Sequence, residues 1–518
     1  MTRITAFFIA KKRENIAMYE PDFETFTGMS EAGNLIPVYR EILADTETPV
    51  SALMKMSARS HVFLLESVEG GEKWGRYTFL GADPQLIFTV RGDEVVIEKD
   101  GEARAIPHRG NPLAHLKNLL DGYRPVPLPG LPRFFGGAVG FLGYDMVRHF
   151  EKLPCRHPAD AGLPDAVFLV TGTLVIFDNV RHTIKIVACV TVNDGDDLRA
   201  LYESAAGRIE STVDLLRAPE RPAGNRPGTA AGIELRPNMT RDGFKSLVDR
   251  AREYIAAGDI IQVVLSQRFT GQCGLDPVDL YRALRYTNPS PYLFFLKTGG
   301  MALIGSSPEV MVRLEEGVVE LKPIAGTRRR GATEQEDRRL ADELLADPKE
   351  RAEHVMLVDL GRNDLGRIAR IGSVQVNQLM AVERYSHVMH LVSHIQAQLA
   401  PGNDAFDVLR ATFPAGTLTG APKVRAMEII EELEPARRGP YGGAVGYFSF
   451  SGNMDFCITI RTVLIHDGKA SLQVGAGIVA DSSPEAEHRE CLGKAAAMMQ
   501  AVRLVEAGFN LKSKEKEK

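Results

Sequence analysis

Two acidic segments carry the residue types that a metal-assisted reaction on an anionic substrate needs. In "PEAEHRECLGK", Glu487 and Glu490 stand three apart, so on a helix they share one face, with Lys494 four positions beyond Glu490. In "KERAEHVMLVD", Glu353 belongs to another amphipathic pattern. Two solvated helix faces would read this way, as most acidic residues do. So would carboxylates converging on Mg²⁺, which prefers oxygen ligands, keeps several waters and shares an anionic substrate with few protein groups. Spacing alone leaves both readings open.

Other stretches add candidate chemistry. "VGAGIVADSSPE" places Gly475, Ala476 and Gly477 at the end of a strand pattern, where small residues let backbone N–H groups approach an anion. Ser483 and Pro484 then read as N-cap and first residue of the helix bearing Glu487 and Glu490. A plain tight connection would look the same. "GTLTGAPKV" lacks the GxxxxGK[ST] spacing and is not a phosphate loop. His390 in "HVMHLVSH" lies three after His387 and four before His394, with no HExxH or cysteine partner for zinc. It is a general acid or base, or a satisfied core histidine. Glu309 in "GSSPEVMVR" follows a turn between two strand patterns and can aim a carboxylic acid into a cleft. "KPIAGTRRRG" surrounds position 325 with Lys322, Arg328, Arg329 and Arg330, beside a Gly326–Thr327 turn suited to an anion, yet Ala325 offers only a methyl.

These residues need a scaffold, and the chain is long enough for several domains' worth of core: 518 residues, 44% hydrophobic and 25% charged. A net charge of −5 gives no general attraction to nucleic acid or anionic lipid. Five cysteines without a CxxC pair fit free thiols in a reducing compartment. The N-terminal apolar stretch is too short for a secretory signal, and no run approaches a membrane span, so a cytoplasmic location is expected.

The pattern is α+β. "AVFLVTGTLVIFDNVRHTIKIVACVTV" holds β-branched runs around a polar "DNVRHT" turn, and "VMVRLEEGVVELKPIAGT" is a hairpin around Glu316–Gly317. "TRDGFKSLVDRAREYIAAGDI" is a helix with a Thr240 cap and a Gly258 stop. "RAPERPAGNRPGTAAG", 217–232, reads as a linker between an N-terminal domain, 20–216, and a second domain, 233–508. The charged 509–518 tail is expected to be disordered.

Taken in order, "LLES", "NPSPYLFF", "SSPE", "PIAGTRRRG", "EHVMLVDLGRNDLGR", "SHVMHLVS", "GTLTGAPKVRAMEII", "YGGAVGYF", "CITIRT" and "VGAGIVADSSPEAE" resemble the anthranilate synthase component I family of chorismate-utilising enzymes. The resemblance covers 238–505 closely and the first half more thinly. It implies an α/β, two-domain fold with antiparallel sheets in a sandwich-like arrangement, surrounding helices and a cleft. It implies a lyase: Mg²⁺-dependent attack of ammonia at C2 of chorismate, loss of the 4-hydroxyl, then elimination of pyruvate to give anthranilate for tryptophan biosynthesis. By motif, Glu353 and Glu490 hold Mg²⁺ with Glu487 close by. Gly326, Thr327, Tyr441, Arg461, Gly475, Ala476, Gly477 and Lys494 hold the substrate. Glu309 is the general acid, and His390 assists the elimination with Thr417 near it.

The same resemblance discriminates among sister reactions. Relatives that make aminodeoxychorismate carry a lysine where this chain has Ala325, and water-adding relatives carry one where it has Gln262. An alanine and an amide leave neutral ammonia as the fitting nucleophile. A catalytically inactive homologue is the remaining alternative, opposed by intact Glu309, Glu353, His390, Arg461 and Glu490. No cysteine sits in a glutaminase turn, so a separate glutamine amidotransferase subunit is implied, in a hetero-oligomer. Feedback inhibition by tryptophan is implied through Glu66, Ser67, Pro291, Tyr292 and Leu293.

Overall fold

The computed structural model describes residues 18–67, 75–158, 162–219, 233–385 and 388–511. Most of the 217–232 linker, His387 and the end of the tail lie outside the described residues.

Turn chemistry and period-2 patterning build the strands where the sequence places them. Thr173–Asp178 pairs with Thr183–Thr191 across the "DNVRHT" turn. Glu315 pairs with Val318, and the intervening Glu316 and Gly317 take φ of 50° and 79°, which a tight two-residue hairpin demands. Thr240 caps the helix Arg241–Ala256 by accepting from the Gly243 N–H, as expected. The charged helical region breaks in two, Glu334–Ala346 and Pro348–Gly366, because Pro348 can start a helix but not continue one. Ser483 stands at the N-cap of Pro484–Glu506 but makes no side-chain cap, contrary to its expected role.

Among the described residues the strands form two antiparallel sheets of twelve. The first runs Leu35–Leu43, Thr183–Thr191, Thr173–Asp178, Tyr77–Ala82, His61–Glu66, Tyr292–Thr298, Met301–Ser307, Thr462–His466, Lys469–Ile478, Gln262–Gln272 and Arg236–Pro237, with Gly420–Ala421 on the start of Gln262–Gln272. The second runs Ile324–Arg329, Val388–Gln398, Val318–Leu321, Val310–Glu315, Met454–Ile458, Ala444–Ser449, Gly137–Leu142, Ala166–Val170, Leu86–Arg91, Glu94–Lys99 and Glu102–Pro107, with Gln375–Arg384 on Val388–Gln398.

Alternation decides which core each residue joins. Phe63, Phe79 and Leu303 from the first sheet meet Phe141, Phe168 and Phe456 from the second in one core. Val62, Leu64 and Ile304 face the other way, under helices that contribute Leu53, Ile209, Phe244, Tyr281 and Met498. Both sheets mix the two sequence halves. Leu293 pairs with Glu66, and Ala444 with Leu142, so the segments either side of 217–232 share their hydrogen-bond ladders.

Candidate active site

Two neighbouring connections pass from one sheet to the other. Met301–Ser307 lies in the first sheet and Val310–Glu315 in the second, so the chain crosses at Ser307–Pro308–Glu309. Met454–Ile458 crosses back to Thr462–His466 through Thr459–Arg461. The crossings are stitched together: the Ile458 N–H donates to the Glu309 carbonyl (3.1 Å) and the Ser306 N–H to the Arg461 carbonyl (3.1 Å). Arg461 adopts φ 49°, a left-handed backbone that a non-glycine residue keeps only where its surroundings impose it. Glu309 and Ile458, one from each crossing, line a cleft with Thr417, Lys322, Pro323 and Asp364.

Glu309 is buried, and burial pushes its carboxyl up to about 7 against the opposing pull of the Thr417 hydrogen bond and the Arg461 and Lys494 charges. Thr417, in the turn Gly416–Leu418, donates its hydroxyl to Glu309 Oε1 at 2.8 Å. A carboxylic acid kept neutral near pH 7 can protonate a poor leaving group.

His390 lies on Val388–Gln398 opposite Thr327. Its Nδ1 is 2.9 Å from the Gly326 carbonyl oxygen and 3.1 Å from Thr327 Oγ1. Burial lowers its pKa, the Gly326 bond opposes this, and the Arg461 charge lowers it further. Arg461 therefore acts on both His390 and Glu309.

The strand Lys469–Ile478, whose neighbour Lys494 acts on Glu309, pairs with Gln262–Gln272, with Gly475 opposite Ser266 and Gly477 opposite Val264. A side chain at 475 would strike the Tyr441 hydroxyl (2.7 Å) and the Leu265 carbonyl (2.6 Å); one at 477 would strike Gln262 Nε2 (2.6 Å). The glycines thus make room for Tyr441 and Gln262. Ala476 points to the opposite, helix-covered core, so only its backbone faces the cleft. Lys494 Nζ donates to the Gly475 carbonyl (2.8 Å) and pairs with Glu490 (2.8 Å).

The carboxylates come from two helices, Pro348–Gly366 and Pro484–Glu506. Burial raises Glu353, as do the charges of Glu350 and Glu490, while Gln262 Nε2 donates to it at 3.3 Å. Burial and the Glu490 charge likewise raise Glu487. Lys349 acts on both Glu353 and Glu487, so the helices present their carboxylates to one space. Among the described residues, no three His, Cys, Asp or Glu side chains gather closely enough to hold a metal by themselves. Mg²⁺, typically bound by one or two carboxylates with waters and substrate oxygens, fits such an open, mutually repelling set.

The basic run of 328–330 serves the scaffold, correcting its reading as surroundings for an anion. Arg328 pairs with Asp347 and Glu350, Arg329 with Glu336 and Arg330 with Asp337, all on the two helices that follow or at Asp347 between them. Lys322 pairs with Glu383. Sequence reasoning also passed over Arg438 and Glu434, a fully buried ion pair (2.5 Å) beneath the site. Arg438 donates to the Leu418 and Val264 carbonyls (2.7 Å each) and lies over the rings of Tyr144 and Tyr441. The Arg-Arg of "PARRGPYGG" was its only signal.

Glu66, Ser67, Pro291, Tyr292 and Leu293 line a separate cleft between the sheets. There Tyr292 donates to Asp455 (2.7 Å), which also takes Arg313 (3.0 Å) and Arg133 (3.1 Å). The Glu66 carboxylate turns to the helix-covered face, held by Arg285 (2.7 and 2.8 Å) and Tyr281 (2.9 Å).

Residues 61–500 match the family described as chorismate binding enzyme. A protein of Acetivibrio thermocellus named anthranilate synthase component 1 is 47% identical over 491 residues, 94% of this chain and 99% of the relative. One of the same name from Aquifex aeolicus is 48% identical over 487 residues, 92% and 97% of the two chains. The crystal structure of anthranilate synthase component I from Streptococcus pneumoniae TIGR4 superposes with TM-score 0.71 at 37% identity, covering 88% of this chain and 98% of that one.

Proposed function

The chain belongs to the chorismate-binding enzymes, alongside proteins named anthranilate synthase component 1, and on that premise we propose that it is a lyase converting chorismate and ammonia to anthranilate and pyruvate. The observation that carries the reading is Glu309: a buried acid, protonated near neutrality and held by Thr417 beside the Arg461 charge. Chorismate must lose a hydroxyl from its ring, and a neutral carboxylic acid is the group that makes hydroxide leave as water.

The other residues divide the work. Arg461, the Thr327 hydroxyl and the backbone around Gly475 and Gly477 hold a substrate carboxylate and fix the ring between nucleophile and acid. Gln262 Oε1 is buried without a hydrogen-bond partner; it accepts a hydrogen from incoming ammonia, orienting the nitrogen lone pair toward C2. Ala325, buried opposite Leu391, leaves no amine to compete as nucleophile. Glu309 gives its proton to the 4-hydroxyl as the C2–N bond forms. His390 then takes the C2 proton as pyruvate departs. Glu353 and Glu490, with Glu487 beside them, would hold Mg²⁺, which supplies charge neutralisation for the other carboxylate.

Ammonia derives from glutamine through a separate amidotransferase subunit. Tryptophan inhibits by occupying the second cleft, where Tyr292, Tyr447 and Phe79 offer aromatic walls and Asp455 and the arginines offer partners for its charged ends. The enzyme is proposed to work in the cytoplasm; among the described residues no helix is long and apolar enough to cross a membrane.

The test is product identification with the purified chain, chorismate, Mg²⁺ and ammonium at alkaline pH. Anthranilate fluorescence with ammonium, and none with glutamine until an amidotransferase subunit is added, is the expected result. Aminodeoxychorismate or isochorismate as product would refute the assignment.

A further inference from the structure

The bulge at Gly326 does more than pass the chain along a sheet edge. Ala325 pairs with Leu391 and Thr327 with His390, so Gly326 is the extra residue, with φ 68°. A bulge of this kind takes a carbonyl out of the ladder and re-aims it. Here the oxygen lies 2.9 Å from His390 Nδ1. A carbonyl only accepts. An unprotonated Nδ1 at that distance would set two lone pairs against each other, so Nδ1 carries the hydrogen, with Thr327 Oγ1 at 3.1 Å as a second neighbour. A neutral imidazole has one such hydrogen, and Nε2 is left with its lone pair. In water the neutral ring favours the opposite tautomer.

We propose that Gly326 is a positioning residue whose bulged carbonyl locks His390 in the Nδ1–H tautomer, delivering Nε2 to the cleft as the proton acceptor. This rests on the functional reading above, in which a proton must leave C2 during aromatisation. The C2–H bond breaks and its electron pair enters the ring. The bond from C3 to the enolpyruvyl oxygen breaks with its pair going to oxygen, releasing the enolate of pyruvate, which takes a proton from water at its methylene carbon, and the C2 proton lodges on Nε2. The resulting imidazolium keeps its Nδ1–H on the Gly326 carbonyl, which disperses the new charge. The φ of 68° is a backbone that side chains rarely adopt, and a Cβ at 326 would also press on the ends of the Leu344 and Glu350 side chains at 3.0 and 3.1 Å.

The test is long-range ¹H–¹⁵N correlation on the full chain labelled with ¹⁵N-histidine, the His390 signal being assigned by its loss in His390→Gln. A protonated Nδ1 and a bare Nε2 are expected. An Nε2–H ring, or one averaging between tautomers, overturns the proposal. Gly326→Ala should move the ring toward mixed tautomers and lower kcat about tenfold or more, with a smaller change in KM. A lower kcat with the Nδ1–H signal intact would overturn the positioning role. Should that variant not fold, the wild-type spectrum still decides. Anthranilate formation with an Nε2–H ring defeats the lock alone; an Nδ1–H ring without any anthranilate supports the lock and defeats the functional reading.

Discussion

At Glu309 one group's environment sets both chemistry and stability. Its carboxyl is raised from 4.5 to about 7, mainly by burial. Because the folded value lies above the unfolded one, stability is full below pH about 4, falls as pH rises through about 7, and stays reduced above. The shift corresponds to roughly 3 kcal/mol. Glu309→Gln should therefore unfold at higher denaturant than the wild type above pH about 8 and match it near pH 4; equal stability at both would show that the carboxyl is not desolvated. Glu490 makes a different prediction. It is half-exposed and paired with Lys494, so Glu490→Gln should leave folding intact while raising the Mg²⁺ needed for half-maximal turnover about tenfold or more. An unchanged Mg²⁺ titration removes Glu490 from the metal site.

Between residues and molecule stand the elements that hold the constellation. The Arg438–Glu434 pair ties the end of Lys423–Leu433 to the Thr417 turn, the Gln262–Gln272 strand and Tyr441. Glu434 Oε1 also takes the Ser266 N–H and hydroxyl at 2.8 Å. Glu434→Ala strands a buried guanidinium, a loss of about 3–5 kcal/mol by denaturant unfolding; a loss below about 1 kcal/mol would mean water enters to replace it. The elements themselves were largely legible. Hairpins with turn residues, such as Glu316–Gly317, and helices with caps, such as Thr240, declare themselves locally. The strand Val388–Gln398 did not, because "HVMHLVSHIQAQ" reads as a histidine cluster until its pairing is known. The ion pairs of Arg328–Arg330 were misread for the same reason: a charge run shows its sign in sequence but not its partners, which lie 7–22 positions away. Residues named through family motifs lie in two places, with Thr417 on Glu309 and Thr327 on His390 in one, and Glu66, Ser67 and Tyr292 lining the other. Their distances and the Gly326 bulge depend on register, which no single stretch encodes.

Over the whole molecule, the two sequence halves are joined by shared sheets rather than by an interface. The paired strands His61–Glu66 and Tyr292–Thr298 supply one wall of the second cleft, and the same ladder continues to Ser307, opposite Tyr292 and two residues before Glu309. An occupant of that cleft is thus one strand pair from the acid. Tyr292→Ala should weaken tryptophan inhibition far more than it lowers uninhibited turnover; unaltered inhibition would put the effector elsewhere.

The most direct test of the account is turnover of Glu309→Gln measured beside its chorismate affinity. The amide keeps the size and the Thr417 contact but has no proton to give to a leaving hydroxyl. The account predicts chorismate binding within a few-fold of wild type and anthranilate formation lower by about 10²–10⁴-fold. Wild-type turnover in that variant would contradict it.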